Sequence, residues 1–136
     1  MSLPVAPPRP LRVLVVEDDA DLGEAMRELL QDEGHRVLVA VSLEQAIDAI
    51  HGAENFDVLI ADHQLQGESA DRLFDVLATS PSPPSTILCS GTPSLVSLAE
   101  AYGLYFIAKP FELEAMIALV ASAAEHPRRP SRPQAG

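Results

Sequence analysis

Glu17, Asp18 and Asp19 follow directly on the apolar run Val13–Val16 in the segment LRVLVVEDDAD, residues 11–21. Two carboxylates about 4 Å apart repel by roughly 4 kcal/mol at an effective dielectric of about 20. Such a cluster either splays into water or holds a counter-charge. Three more polar groups stand at the ends of short apolar runs: Asp62 after VLIA (58–61), Ser90 after TILC (86–89), and Lys109, followed by Pro110, after YFIA (105–108). Carboxylates converging on one edge suit a hard divalent cation, and Mg²⁺ prefers a few carboxylate and carbonyl oxygens while keeping some water. A lysine opposite is a compact cation for phosphate or carboxylate, and a serine hydroxyl can donate to a phosphoryl oxygen. Metal, ammonium and hydroxyl around one carboxylate are an arrangement for placing a phosphoryl group on it, because that chemistry asks chiefly for electrostatic stabilisation. Aspartate is an established phosphoryl acceptor.

Such a site exists only if the strands bring their ends together. Runs at 13–16, 37–41, 58–61, 86–89 and 105–108 are apolar on both faces, which predicts parallel strands covered by helices on each side. Between and after them come helical spacings: Leu22, Ala25, Met26, Leu29 and Leu30; Leu43, Ala46, Ile47 and Ile50; Ala70, Leu73, Phe74 and Leu77; Leu95, Leu98, Ala99 and Tyr102; Leu113, Met116, Ile117, Val120 and Ala121. Gly34 reads as a C-terminal cap, SLEQ (42–45) as a capping box, and Thr92–Pro93 as the start of the fourth helix. The pattern is one (βα)₅ doubly wound α/β domain. Ligands of such sheets bind beyond the carboxyl ends of the strands, and in a 2-1-3-4-5 order Asp62 comes up beside Glu17 and Asp18.

Composition bounds the function. The 136 residues, 47% apolar, suffice for one domain with its own core. Residues 11–125 hold all 20 acids and five bases, a net charge of −15 that would repel nucleic acid. There is no apolar run long enough to span a membrane, and MSLPVAPPRP lacks the apolar stretch of a signal peptide. The single cysteine excludes an internal disulfide and suits a reducing cytoplasm. Residues 1–10 and 126–136 are proline-rich and are expected to be disordered or extended, the latter a solvated tail with three arginines.

With VLVVEDD, FDVLIAD, ILCSG and YFIAKPF standing in this order at strand ends, residues 11 to about 125 resemble the receiver domain of a two-component response regulator, a flavodoxin-like sandwich. The resemblance implies a signalling module, rather than an enzyme acting on an external substrate, phosphorylated on Asp62 with Mg²⁺ as cofactor. It implies Asp18 as direct metal ligand, Glu17 acting more through water, and the backbone carbonyl of Gln64 as a further ligand. Ser90 and Phe106 take the switch positions, Lys109 is the phosphoryl-binding lysine, and the Lys109–Pro110 bond is expected to be cis. The implied partners are a sensor histidine kinase or histidine phosphotransfer protein, with homodimerisation on phosphorylation. The chain is then a stand-alone regulator or a part of a larger regulator or hybrid kinase.

Other readings compete. A receiver-like adaptor would bind partners without phosphorylation, and an FMN protein could share the fold, although acidic strand ends repel a flavin phosphate. CSG lacks the preceding glycine of a hydrolase nucleophile elbow. Asp19 and Asp21 read as helix caps, Cys89 as a small core residue and His63 as an exposed loop residue; His35, His51 and His126 are scattered. Gln66 and Ala70 stand where many receivers have proline and glycine, which predicts a less rigid loop after Asp62. The segment from Ser90 to Lys109 is short, which predicts a short or loosely packed fourth helix.

Overall fold

The computed structural model describes residues 9–133. Five parallel strands form one sheet: β1 (Arg12–Val16), β2 (Arg36–Ala40), β3 (Val58–Asp62), β4 (Ser85–Ser90) and β5 (Tyr105–Ala108), in the order β2-β1-β3-β4-β5. Five helices connect and follow them: α1 (Ala20–Asp32), α2 (Leu43–His51), α3 (Asp71–Ala78), α4 (Val96–Tyr102) and α5 (Leu113–Glu125). The strand order and alternation are those expected from the sequence, and the site follows from the register: Val16 lies opposite Ala61, Asp62 opposite Cys89, and Ser90 opposite Ala108. All four site-bearing strand ends therefore finish at one level.

The sheet buries a different set of residues on each face. Leu14, Leu59, Leu88 and Phe106 meet α2, α3 and α4 through Leu43, Ile47, Phe74 and Tyr102. Val13, Val15, Ile60 and Ile87 meet α1 and α5 through Met26, Leu30, Met116 and Val120. Successive strand residues point to opposite faces, so one run such as VLVV feeds both layers. Phe74 is wholly buried, and its truncation to alanine would cost about 3–5 kcal/mol.

Two expectations need correction at the sheet edges. β2 is not covered on both faces: Arg36 and Leu38 are exposed, Leu38 at 47%. In β5, Tyr105, Phe106 and Ile107 are only half-buried and Ala108 is exposed. Edge strands lack a neighbour on one side, so their apolar runs promise more cover than they receive. The helix signals hold in more detail. Asp19 caps α1 by accepting from the amides of Asp21 and Leu22, whereas Asp21 lies in the first turn. Gly34, at φ +91°, follows the end of α1 and donates its amide to Gln31. Ser42 accepts from the Gln45 amide, and the Gln45 side chain bonds the amide of Val41 rather than that of Ser42. Thr92 opens a 3₁₀ turn, Pro93–Leu95, and α4 proper is only seven residues long. It is short, as expected, but its last turn is well packed, with Ala99 and Tyr102 buried.

The expected termini divide. Residues 1–8 and 134–136 lie outside the described residues. The described part of the tail, 126–133, has no regular secondary structure but is not simply solvated: Pro130 is buried, the Thr86 amide donates to the Arg128 carbonyl, and the Ser131 amide donates to the Tyr102 carbonyl. β4 begins at Ser85 while its pairing with β5 begins at Ile87, and the tail supplies partners where that pairing has not yet begun. At the other end, Arg9 reaches Asp57 at 3.1 Å.

Candidate metal and phosphoryl site

β1 delivers Glu17, whose amide still bonds the Ala40 carbonyl of β2 at 3.0 Å, and this fixes the carboxylate at the sheet's end. Gly23, in the second turn of α1, allows close approach to that strand: a Cβ there would stand 3.2 Å from Val39. β3 delivers Asp62. β5 delivers Lys109, held by its amide to the Ser90 carbonyl at 2.9 Å and followed by a cis bond to Pro110.

Lys109 is the counter-charge that the acidic cluster requires. Its Nζ donates to Asp62 Oδ2 at 2.7 Å and to Glu17 Oε1 at 2.9 Å. Burial by itself would lower the lysine's pKa; the bonds to Asp62 and Glu17 outweigh it and hold the ammonium well above its ordinary value. Glu17 is almost fully buried, and burial pushes its carboxyl above the usual carboxylate range against the opposing bond from Lys109. Asp18 is more open to solvent and is held below its ordinary value, chiefly by the Gln66 amide, which donates to Oδ2 at 2.8 Å.

One oxygen each from Glu17, Asp18 and Asp62 lies within 4.8 Å of the others. Three carboxylates with one ammonium leave net negative charge, and such an all-oxygen donor set fits a hard divalent cation. The loop after Asp62 supplies two contacts to these carboxylates itself: the Gln66 amide donates to Asp18, and the Gln64 amide donates to Asp62 Oδ1 at 3.3 Å. Gln64–Leu65 pairs with Glu68–Ser69 in a small antiparallel hairpin. Its two turn residues, Gln66 and Gly67, both have positive φ (53° and 82°), the requirement of a type I′ turn. Leu65 and Ala70 are buried beneath it, and the Ala70 amide bonds the His63 carbonyl at 2.7 Å. The loop thus has backbone pairing across a tight turn where many receivers have a proline. The hairpin escaped the sequence reading, and its one signal was the dipeptide Gln66–Gly67, a weak relative of Asn-Gly.

His63 is also more engaged than an exposed loop residue. Its side chain is 12% exposed, with Nε2 3.1 Å from Asp71 at the start of α3 and Nδ1 3.2 Å from the side-chain Nε2 of Gln64. His51 is the last residue of α2, while His35 immediately precedes β2 and His126 immediately follows α5. Ser90 is buried at the end of β4, where its Oγ accepts from the Thr92 amide at 3.0 Å. Phe106, opposite Leu88, is half-buried against the α2–α3–α4 layer. Cys89 is buried in the other layer, and burial pushes its thiol up to about 12, so it stands as a core residue.

A parallel sheet in the 2-1-3-4-5 order with carboxylates, lysine and serine at its carboxyl edge defines a class, and comparison agrees. The response regulator receiver domain family matches residues 13–121, and the chain belongs to that family. It is 29% identical over 113 residues to the response regulator protein FleR of Pseudomonas aeruginosa, covering 81% of this chain and 24% of that protein. It is 30% identical over 111 residues to the uncharacterized transcriptional regulatory protein YrkP of Bacillus subtilis, covering 80% of this chain and 47% of that one. The chain thus spans from a quarter to about half of the length of these relatives. A receiver domain from a Francisella response regulator superposes with a TM-score of 0.76 at 20% identity, over 85% of this chain and 97% of that one. Among the described residues, no helix is long and apolar enough to cross a membrane.

Proposed function

We propose that this receiver domain takes a phosphoryl group onto Asp62 from the phosphohistidine of a sensor kinase or phosphotransfer protein, in the cytoplasm. The observation that carries the reading is Lys109 bridging Asp62 and Glu17 at 2.7 and 2.9 Å beside three mutually close carboxylates. The convergence of three carboxylates and one lysine on the same sheet edge favours this reading over that of an adaptor that is never phosphorylated.

Glu17, Asp18, Asp62 and the backbone carbonyl of Gln64 are the groups that would hold Mg²⁺. When bound, the ion neutralises charge on the phosphoryl oxygens and orients them. A carboxylate oxygen of Asp62 attacks phosphorus, the P–N bond to the donor imidazole breaks, and the imidazole retains the electron pair. Lys109 exchanges part of its bond to Asp62 for the new phosphoryl oxygens. Phosphorylation adds charge and three strong acceptors. Ser90 can turn its hydroxyl from the Thr92 amide toward them, and Phe106 moves into the space vacated beside β5.

Intact mass after incubation with acetyl phosphate and Mg²⁺ tests the assignment. Wild type should gain about 80 Da, one phosphoryl group on a carboxylate nucleophile. Asp62→Asn should gain nothing; a full gain in that variant overturns the assignment.

A further inference from the structure

Residues 126–133 converge on one junction, the last turn of α4 and the start of β5. The Tyr105 hydroxyl donates to the His126 carbonyl at 2.6 Å, and the Arg128 guanidinium lies 4.2 Å over the Tyr105 ring. The Arg128 backbone grips the start of β4 twice: its amide donates to Ser85 Oγ at 3.0 Å, and its carbonyl accepts from the Thr86 amide at 3.1 Å. Pro130 is buried, and the Ser131 amide bonds the carbonyl of Tyr102 at 2.9 Å. Gly103, at φ +76°, closes α4 directly against this segment: a Cβ there would meet the Arg129 carbonyl at 3.8 Å.

α4 is held unequally at its two ends. Its N-terminal side is a 3₁₀ turn without a side-chain cap, and Val96 is 42% exposed. Its C-terminal side is anchored. Tyr102 packs its ring 5.6 Å from Phe74, its hydroxyl donates to Asp75 at 2.8 Å, and its carbonyl is taken by the tail. β4 links this anchor to the site, because Ser85 and Thr86 bond the tail while Ser90 lines the acidic edge.

We propose that residues 126–133 are an internal strap that pins the C-terminal end of α4 and the start of β5, so that α4 rearranges about that end and the strap opposes the rearrangement. A segment held by few bonds opens at low cost compared with the sheet. The strap therefore sets how readily the α4–β5 face responds, and a partner that lifts it would make the response easier. The opposing role rests on the proposed phosphorylation; the pinning does not.

The test uses the whole chain as wild type, as Ser131→Pro, which removes the amide bonded to Tyr102, and as Arg128→Ala combined with Pro130→Ser. Hydrogen exchange of the free protein should speed up about tenfold or more at the amides of α4, Leu104 and Thr86, with β1 and β3 unchanged. Titration with beryllofluoride and Mg²⁺ should then show apparent affinity tightened about three- to tenfold in both variants, since less resistance remains to be overcome. Unchanged exchange in α4 overturns the pinning, and so does equal loosening of every strand. Unchanged beryllofluoride affinity in a variant whose α4 has loosened overturns the opposing role. If wild type binds no beryllofluoride at all, the phosphoryl site is what fails, and the exchange result alone decides the pinning.

Discussion

Lys109 faces three carboxylates with a single charge, and this imbalance makes the acidic edge sensitive to its ions. Replacing Lys109 with alanine strands the buried Glu17 beside Asp62. The loss should be about 2 kcal/mol in metal-free buffer, the scale of a hydrogen bond to a charged group. Mg²⁺ should recover part of it, so the metal-induced rise in melting temperature should be larger in Lys109→Ala than in wild type. For wild type, metal at about 100 times its dissociation constant should stabilise by about 2.7 kcal/mol. Thermal melts with and without Mg²⁺ check both statements, with Asp18→Ala as reference; an equal shift in Asp18→Ala would remove Asp18 from the ligand set. That Glu17, Asp18 and Asp62 meet at one edge of the sheet was readable in the sequence, because an apolar run ending in charge marks a strand's end. The second bond of Lys109, to Glu17, was not: two side chains 92 residues apart meet only through sheet register.

At the scale of the element, the hairpin after Asp62 is held in spite of one unfavourable residue. Gln66 adopts a positive φ that costs an ordinary side chain about 1–2 kcal/mol. Gln66→Gly should therefore stabilise by up to about 1 kcal/mol in chemical denaturation, part of the gain going to the greater freedom of glycine in the unfolded chain. The amide that serves Asp18 is retained. The crossing between α1 and β2 carries a different device. His35 Nδ1 accepts the amide of Leu11 at 3.2 Å, and burial lowers the pKa of this imidazole from 6.5, against the pull of Glu33 and Asp57. The folded state thus prefers the neutral ring. Its contribution is complete above pH 6.5 and falls away as pH drops below that value, where the unfolded chain takes up the proton first. Denaturation midpoints of His35→Phe should be flatter than those of wild type between about pH 7 and 5. A parallel pH profile in the two proteins would contradict this. Neither device could be read in advance. The hairpin strands have two residues each, too few for periodicity, and a histidine whose partner, Leu11, lies 24 residues away leaves no local pattern.

For the whole molecule, the fold was legible because five alternations of apolar run and amphipathic spacing agree with one topology. The covering of each strand was not, since an apolar run reads alike in a central and in an edge strand; β2 and β5 have the composition of covered strands but stand at the two edges. The tail was unreadable for a similar reason: its bonds run from backbone groups to Ser85, Thr86 and Tyr102, far away in the chain. The proposed switch is a property of this scale, because Ser90 and Phe106 lie on neighbouring strands and must move together. Adding beryllofluoride and Mg²⁺ should shift NMR signals of Ser90, Phe106 and α4 as well as those around Asp62. Shifts confined to residues 62–70 would mean that binding at the acidic edge is not transmitted to α4.

The burial of Cys89 has a practical consequence for watching that movement. It is the single cysteine of the chain, and with its thiol pushed up to about 12 almost none is ionised at neutral pH. Thiolate is the species that attacks maleimides and iodoacetamides, so the native protein should be nearly inert to them at about pH 7. A cysteine introduced at exposed Val96 would then accept a fluorophore or spin label selectively, with Cys89 left in place. The core that excludes water from Cys89 thus gives the protein an unreactive background against which one chosen position on α4 can be made to report.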